Sequence, residues 1–129
     1  MNPRKPVAAM TLDLPMPIST NDLWMPVRRG QTAAMIRTSQ YKNWLVEAGL
    51  FLNRQAKNRI IGPYALSLYV SRKSRADLGN AEKAVSDLLQ THGVIENDRH
   101  AQRIEMAWAD VPGMRVQLFA SKPKHGAAA

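Results

Sequence analysis

Residues 66–93 read LSLYVSRKSRADLGNAEKAVSDLLQTHG and predict a strand, a basic loop and a helix in succession. At the start, Leu and Val alternate with smaller or polar residues, which is the period of a strand with one buried face. Further on, apolar residues recur at the spacing of one helix face: Ala81, Ala84, Val85, Leu88 and Leu89. Asn80 is placed to cap the start of this helix, and Gly93 is placed to end it.

A second helix and three further strands are predicted on either side of this unit. The helix is indicated by apolar residues at helical spacing, with Thr38 or Ser39 as its cap: Tyr41, Trp44, Leu45, Ala48 and Leu52. Apolar residues alternate within 11–14, 104–108 and 114–118, which predicts the strands. Pro112-Gly113 suits a type II turn, so the last two strands are expected to form a hairpin. A polar, basic connection is expected around residues 28–30.

The resulting order β, α, β, α, β, β predicts an α/β (α+β) fold. We expect a single compact domain over residues 1–129, in which two main helices pack on a mixed sheet. Hydrophobic residues make up 45% of the 129, which is enough for one core. Residues 1–8 and 122–129 carry proline and basic residues and are expected to be flexible tails.

The composition excludes several classes of protein. The chain has no cysteine, which rules out disulfide scaffolds, zinc fingers and thiol nucleophiles. No apolar run is long enough to span a bilayer, and the first ten residues lack the apolar core of a secretory signal. No phosphate-binding loop or dinucleotide fingerprint is present, so no small-molecule cofactor is expected. We therefore expect a cytoplasmic protein that does not bind membranes.

Positive charge is concentrated in the first part of the chain. The 18 basic and 10 acidic residues give a net charge of +8. Residues 1–75 hold 12 basic and three acidic residues, or +9, whereas residues 76–129 hold six and seven, or −1. Such a balance is typical of a nucleic-acid partner. The clustered acids are either ordinary solvated faces or a carboxylate site for Mg²⁺ or Mn²⁺.

A candidate site follows from the order of these acids. Asp77 comes between the strand and the helix, and Asn80, Lys83 and Asp87 share one face of that helix. If the strand at 104–108 lies beside the strand at 66–70, Asp98 approaches Asp77. Two converging carboxylates hold a divalent ion, and a nearby lysine stabilises phosphoryl charge. The alternative is that Lys83 is a solvated helix lysine and Asp98 an ordinary turn residue.

The stretch RADLGNAEK at 75–83, followed by Asn97-Asp98, resembles the signature of the RusA family of Holliday-junction resolvases. The front of the chain agrees with the family in Pro15-Met16-Pro17 and in residues 21–24. The resemblance implies a homodimeric, Mg²⁺-dependent endonuclease (Mn²⁺ being the alternative ion) that cuts four-way DNA junctions in recombination and repair. It also implies that Asp77 and Asp98 are metal ligands and that Lys83 is catalytic.

One position departs from this signature, because Gly79 stands where the family has a second aspartate. Glycine cannot ligate a metal through a side chain. Glu82 and Asp87 are the nearby carboxylates available to compensate. The alternative function is therefore a catalytically impaired protein that binds branched DNA with the same fold. A basic RNA-binding protein is a third, weaker hypothesis.

Contacts to DNA are expected from basic residues in two predicted loops: Arg28, Arg29, Arg72, Lys73 and Arg75. Trp24 is a candidate for stacking on exposed bases, whereas the helical spacing of Trp44 indicates a core residue.

Opposed cuts in a two-fold symmetric junction need two sites. A homodimer is therefore expected.

Overall fold

A computed structural model describes residues 2–17, 22–30 and 32–122, apart from the side chain of Arg29. Within these residues the chain forms eight strands and two α-helices. In chain order they are β1 (Lys5–Pro6), β2 (Ala9–Leu14), β3 (Trp24–Arg29), β4 (Thr32–Arg37), α1 (Ser39–Gln55), β5 (Asn58–Arg59), β6 (Tyr64–Ser71), α2 (Leu78–Thr91), β7 (Ala101–Ala109) and β8 (Met114–Ala120). A 3-10 turn at Asp98–His100 precedes β7.

The main sheet has four strands in the order β2, β8, β6, β7. β6 runs parallel to β7 and antiparallel to β8, so the predicted mixed α+β architecture is confirmed. One face of the sheet carries the core, because alternate residues of β6 are buried at Tyr64, Leu66, Leu68 and Val70. The predicted apolar faces of both helices are buried as well. Among the described residues, no helix is long and apolar enough to cross a membrane.

The predicted hairpin between the last two strands is wrong. β8 lies between β2 and β6, so β6 separates it from β7. Gly113 has a φ of 69°, a conformation that glycine adopts without strain. Residues 110–113 cross the end of β6, where Ser71 N–H donates to Gly113 O at 2.9 Å. A turn signal specifies where the chain reverses but not which strand comes to lie beside the next one.

The helix caps agree with the sequence at one helix and differ at the other. Thr38 caps α1 and accepts a hydrogen bond from Tyr41 N–H at 3.2 Å. Asn80, predicted to cap α2, is wrong in that role, because Asp77 is the cap and the helix begins at Leu78. The carboxylate of Asp77 accepts a hydrogen bond from Asn80 N–H at 3.0 Å. Aspartate is among the residues preferred at a helix N-cap, so Asp77 fills this role as well as asparagine would.

The predicted loop around residues 28–30 is a two-stranded hairpin of β3 and β4. Gly30, with a φ of 63°, lies at its tip. Apolar residues such as Met25 and Met35 are exposed on this hairpin. Its strands therefore have no buried face, and the sequence shows no apolar–polar alternation that would predict them. The hairpin is joined to α1 through Thr38 N–H, which donates to Leu23 O at 3.0 Å.

The N-terminal segment, expected to be a tail, is tied to the ends of both helices. β1 pairs with β5. Arg4 Nη1 donates to Ala56 O at 2.7 Å, and Arg4 Nε donates to His92 O at 2.9 Å. A guanidinium at the carbonyl end of a helix also complements its dipole. Of the other predicted tail, residues 123–129 lie outside the described residues.

Candidate functional site

A cleft of about 320 Å³ lies between the β3–β4 hairpin, helix α2 and the 3-10 turn before β7. Its lining side chains come from distant parts of the sequence: Trp24, Met35, Arg37, Lys83, Asp87, Gln90 and Asp98. Lys83 and Asp98, two of the three predicted catalytic residues, are therefore brought into one cleft.

Helix α2 supplies three polar side chains to this cleft because Lys83, Asp87 and Gln90 are spaced i, i+4 and i+7. The opposite face of the helix is buried in the core. The predicted shared face of Lys83 and Asp87 is thus the face that meets the cleft. Asn80, predicted on the same face, is not among the lining residues.

Asp87 is held by two partners from other elements. Both of its carboxylate oxygens lie 2.6 Å from Arg37 Nη2 on β4. The hydroxyl of Tyr41 on α1 donates to Asp87 Oδ2, also at 2.6 Å. Burial, together with the bond to Asp87 and its negative charge, raises the pKa of Tyr41 above its ordinary value. Asp87 therefore joins the hairpin, α1 and α2 in one charged network.

Lys83 is positioned by an aromatic ring. Its Nζ lies 4.6 Å from the centroid of Trp24, within the range of a cation–π interaction. Trp24 in turn packs edge-on against Tyr41, with centroids 4.7 Å apart. Among the described residues no carboxylate forms an ion pair with Lys83, so its positive charge is presented to the open cleft.

Asp98 lies exposed at the start of the 3-10 turn. Its N–H donates to Gln90 Oε1 at 3.0 Å, which fixes the turn against the end of α2. Asn97 caps the turn by accepting from Arg99 N–H at 2.9 Å. Within the described part of the chain, no basic side chain pairs with the Asp98 carboxylate. In contrast to Asp87, this carboxylate is open to a ligand.

Tyr64 lies beneath this region, at the first position of β6. It is 1% exposed, and its hydroxyl has no hydrogen-bond partner among the described residues. Burial raises the pKa of Tyr64 to about 12, and the negative charges of Asp98 and Glu82 add to the increase. Asp98 and Glu82 thus place two negative charges near a buried phenol.

Asp77 is the predicted site residue that the cleft does not contain. It is the cap of α2, whereas the cleft is lined from Lys83 onward. Six residues, or about 9 Å along the helix axis, separate Asp77 from Lys83. Because β6 and β7 are parallel, Asp77 after β6 and Asp98 before β7 lie at opposite ends of the sheet, so the expected approach of Asp98 to Asp77 is wrong within one copy. Across residues 2–17, 22–30 and 32–122, no three His, Asp or Glu side chains are grouped closely enough to hold a metal ion.

Gly79, where the chain departs from the family signature, lies next to Asp77. A Cβ built on Gly79 would lie 3.3 Å from Asp77 Oδ1. Gly79 does not have a positive φ, so a side chain there meets no backbone strain. An acidic residue at this position would place a second carboxylate beside Asp77, at the start of α2.

The basic residues predicted to bind DNA lie apart from the cleft. Arg72, Lys73 and Arg75 are exposed in the loop between β6 and α2, and Arg72 pairs with Asp110 at 3.0 Å. Because β6 and β7 are parallel, this loop and Asp98 lie at opposite ends of the sheet. The seven-residue step along β6 amounts to about 23 Å. Arg28 is exposed near the hairpin tip, and the Arg29 side chain lies outside the described residues.

Sequence reasoning missed Arg37 and Tyr41 as parts of the cleft. Arg37 is 50 residues from Asp87, and Tyr41 is 46 residues away. No local spacing relates such residues, and Tyr41 reads only as an apolar position of α1. The one usable signal is that Arg37 directly precedes Thr38, the predicted cap of α1.

Neither protein-family models nor curated proteins give a match to this sequence.

Proposed function

We propose that this chain is a structure-selective, metal-dependent endodeoxyribonuclease that resolves four-way DNA junctions in recombination and repair. The observation that carries the proposal is the meeting of Lys83 and Asp98 in one exposed cleft. These are two of the positions at which the sequence resembles the RusA signature. The net charge of +8 supplies the attraction to a polyanion.

Lys83 is suited to hold a phosphate group. Its ammonium is held over Trp24 and pairs with no carboxylate of residues 2–17, 22–30 and 32–122, so binding a phosphate does not require one of these ion pairs to be broken. A fixed positive charge in a cleft stabilises the negative charge that develops on phosphorus oxygens during cleavage. We assign Lys83 as the catalytic cation.

Asp98 is suited to hold Mg²⁺ or Mn²⁺. Mg²⁺ is commonly bound through one or two carboxylates together with waters and substrate phosphate oxygens, and the open carboxylate of Asp98 meets that need. Asp87 does not, because Arg37 and Tyr41 already occupy both of its oxygens. A divalent ion, when bound, supplies charge neutralisation on the phosphate and activation of water. The resemblance assigns Asp77 as a further ligand, but within one copy Asp77 lies at the start of α2, outside the cleft that contains Asp98.

DNA is expected to extend from the cleft toward the basic loop. The separation of about 23 Å between Asp98 and Arg72–Arg75 equals about seven base-pair steps of 3.4 Å. Arg72, Lys73 and Arg75 would then contact phosphates away from the cut, and Arg28 would contact phosphates beside the hairpin. Such contacts position DNA without reading its sequence.

A second candidate is favoured by Gly79 and by the absence of a three-acid group among the described residues. It is a protein that binds branched DNA through the same surface but does not cut it. Both candidates predict a preference for junctions over duplex DNA, and they differ only in whether the bound junction is cut.

The deciding experiment incubates an end-labelled four-way junction, and a duplex of the same sequence, with millimolar Mg²⁺ or Mn²⁺. We expect paired nicks in the junction and none in the duplex. Asp98→Asn should bind the junction without cutting it, whereas Glu47→Gln, which neutralises an exposed carboxylate on α1, should cut like the parent. Junction binding with no cutting in either metal would establish the second candidate. Equal affinity for junction and duplex would exclude both.

Gly79→Asp tests whether a metal site at the start of α2 lacks only a carboxylate or whether no metal binds there. The new carboxylate would lie beside Asp77 on an unstrained backbone, so we expect cleavage at lower metal concentration. Gly79→Asn has the same size without the charge and should not change the metal requirement. If both variants behave identically, the end of α2 holds no catalytic metal and the assignment of Asp77 falls.

A further inference from the structure

An apolar pocket of about 440 Å³ lies at the β2 edge of the main sheet. Its walls are residues 13–16 at the end of β2, Phe51 of α1 and residues 112–113 of the turn before β8. Sites that bind ligands are typically cavities of this size, lined mostly by apolar side chains with a few polar groups. None of these residues lines the cleft in which Lys83 and Asp98 meet.

The walls of this pocket are fixed by hydrogen bonds between neighbouring elements. Trp44 Nε1 donates to Pro15 O at 2.9 Å. Gln55 Nε2 donates to Phe51 O at 3.0 Å and to Asp13 O at 2.5 Å, which ties α1 to the end of β2. Phe51 nevertheless remains 41% exposed, although its side chain is large and apolar. A preformed pocket with exposed apolar surface loses little conformational freedom on binding and is typical of an interaction site.

A second cavity, of about 540 Å³, adjoins the first and shares Pro112 with it. Its other walls are residues 71–73, where β6 ends, and residues 109–111, where β7 ends. Arg72 and Lys73 are among these residues, so an apolar surface continues into one that carries positive charge. We refer to the two cavities together as the paired pockets.

The carboxylates of the paired pockets are already bound by arginines. Asp13 lies 2.8 Å from Arg115 Nε, and Asp110 lies 3.0 Å from Arg72 Nε. Lys73, in contrast, is exposed and forms an ion pair with no carboxylate in the described part of the chain. The charge that remains open to a ligand at the paired pockets is therefore positive.

We propose that the paired pockets dock a segment of another protein in which acidic residues adjoin one or two bulky apolar side chains. The apolar side chains fill the pocket beside Phe51, and a carboxylate of the segment binds Lys73. Anchor side chains that fill a pocket supply most of the affinity of such a contact, and charges at its rim supply orientation and faster association. The docking does not depend on whether the chain cuts DNA.

The lining of the apolar pocket favours a protein segment over DNA or a second copy of this chain. Unpaired bases stack on aromatic rings, but Phe51 is the one aromatic residue among the described lining residues, and the carboxylate of Asp13 repels phosphate. Leu14, Met16 and the prolines instead suit the apolar side chains of a peptide. A second copy would bring a net charge of +8 to a positive rim, which is unfavourable.

Selection from a library of random peptides displayed on phage, with the full chain as the target, tests the chemistry of the partner. We expect the enriched peptides to combine Asp or Glu with Leu, Phe or Trp. Enrichment of neutral or basic peptides would overturn the proposal. So would enrichment of acidic peptides without bulky apolar residues, or no enrichment at all.

Variants of the apolar pocket show where an enriched peptide binds, with fluorescence anisotropy of the labelled peptide as the measurement. Phe51→Glu removes an apolar wall and adds a like charge, so it should weaken binding at least about tenfold. Leu50→Glu is the matched control, because Leu50 is 56% exposed on the same helix but does not line the pocket. Equal weakening by both variants would show attraction to net charge alone and would overturn the proposal, as would normal binding by Phe51→Glu.

A pair of lysine variants tests the charge of the rim with the same labelled peptide. Lys73→Gln should weaken binding by about threefold or more, because a carboxylate of the peptide loses its partner. Lys42→Gln removes the same charge from an exposed position on α1 and should bind like the parent. Equal affinities of the two variants would remove the charge match on which the proposal rests.

The other occupants are tested with the same phenylalanine and leucine variants. Binding of a labelled oligothymidine and self-association in sedimentation should be indistinguishable between Phe51→Glu and Leu50→Glu. A loss of either property confined to Phe51→Glu would assign the pocket to DNA or to a second copy and overturn the proposal. Thermal unfolding shows whether Phe51→Glu is folded. If it is not, Pro112→Glu replaces it, because Pro112 is exposed and borders both cavities.

Discussion

The two carboxylates of the cleft lie on different walls, Asp87 on α2 and Asp98 on the 3-10 turn, and they have opposite surroundings. Asp87 is bound by Arg37 and Tyr41 and is partly covered, whereas Asp98 is exposed and has no basic partner within the described residues. A carboxylate whose oxygens are already bound contributes to the fold. One whose oxygens are open remains available to a metal ion or a phosphate-bound water. The residue type alone does not show which of the two aspartates has a structural role and which is available to a ligand.

The largest expected effect comes from Asp98. We expect Asp98→Asn to lower the rate of junction cleavage by at least about 100-fold, because the open carboxylate is lost. Since the Asp98 side chain bonds to no other element in the described part of the chain, the melting temperature should stay within about 2 °C of the parent. Single-turnover cleavage and thermal unfolding measure the two quantities. A large loss of stability would make Asp98 a structural residue like Asp87.

The reverse pattern is expected for Asp87. Asp87→Asn removes a charge-assisted pair with Arg37 and weakens the bond from Tyr41, which we expect to lower the free energy of unfolding by about 2 kcal/mol. Urea denaturation measures this loss. Cleavage by the remaining folded protein should change less than for Asp98→Asn. If Asp87→Asn unfolds at the same urea concentration as the parent, the two walls do not differ as the contacts indicate.

Two buried tyrosines sharpen the comparison, since each lies near one wall. Tyr41→Phe loses the hydrogen bond to Asp87 and should destabilise the fold by about 1 kcal/mol. Tyr64→Phe loses a hydroxyl that has no partner among the described residues, so stability at neutral pH should be nearly unchanged or higher. Denaturation of both variants at pH 7 gives the comparison. Equal losses would show that Tyr64 has a partner.

Alkaline titration extends the same comparison. The pKa of Tyr64 is raised to about 12 in the folded state, above the ordinary 10.0. Its neutral form therefore stabilises the fold fully below pH 10, and this contribution is lost as the pH rises from 10 toward 12. Tyr64→Phe should make the free energy of unfolding less dependent on pH in that window. If the free energy of unfolding of Tyr64→Phe depends on pH as that of the parent does, a group other than Tyr64 titrates in this window.

The smallest effect is expected far from both walls. Arg75→Gln removes one positive charge from the basic loop, so the slope of log affinity against log salt should decrease by about 0.9 for each phosphate that is no longer neutralised. Binding to junction and duplex should weaken alike, and cleavage at saturating protein should not change. A selective loss for the junction would show that this loop reads branch structure.

The sequence predicted those parts of the fold that depend on local patterns. The apolar spacing of residues 41–52 and 81–89 was sufficient for both helices, and the alternation in β6 and β8 was sufficient for their buried faces. The position of β8 between β2 and β6 was not predictable, because strand order depends on long-range packing. The hairpin of β3 and β4 was missed because its apolar residues are exposed and form no buried face.

For the candidate site, the sequence predicted which residues belong to it better than it predicted the contacts between them. The RusA-like spacing drew attention to Lys83 and Asp98, which share the cleft. The same spacing does not reveal that Asp77 caps α2 or that Arg37 binds Asp87. Those contacts depend on how the hairpin and α1 pack against α2, which leaves no trace in the sequence spacing around residues 75–98.

Arg4 has a consequence for the order in which the chain is completed during synthesis. It is made 88 residues before His92, one of the two helix ends that it binds. At roughly 5–20 residues per second, translation needs about 4–18 s to cover that interval. The N-terminal segment therefore cannot complete its contacts until the end of α2 has been made. A fusion partner attached at this end would remain close to the unfinished helices throughout that time.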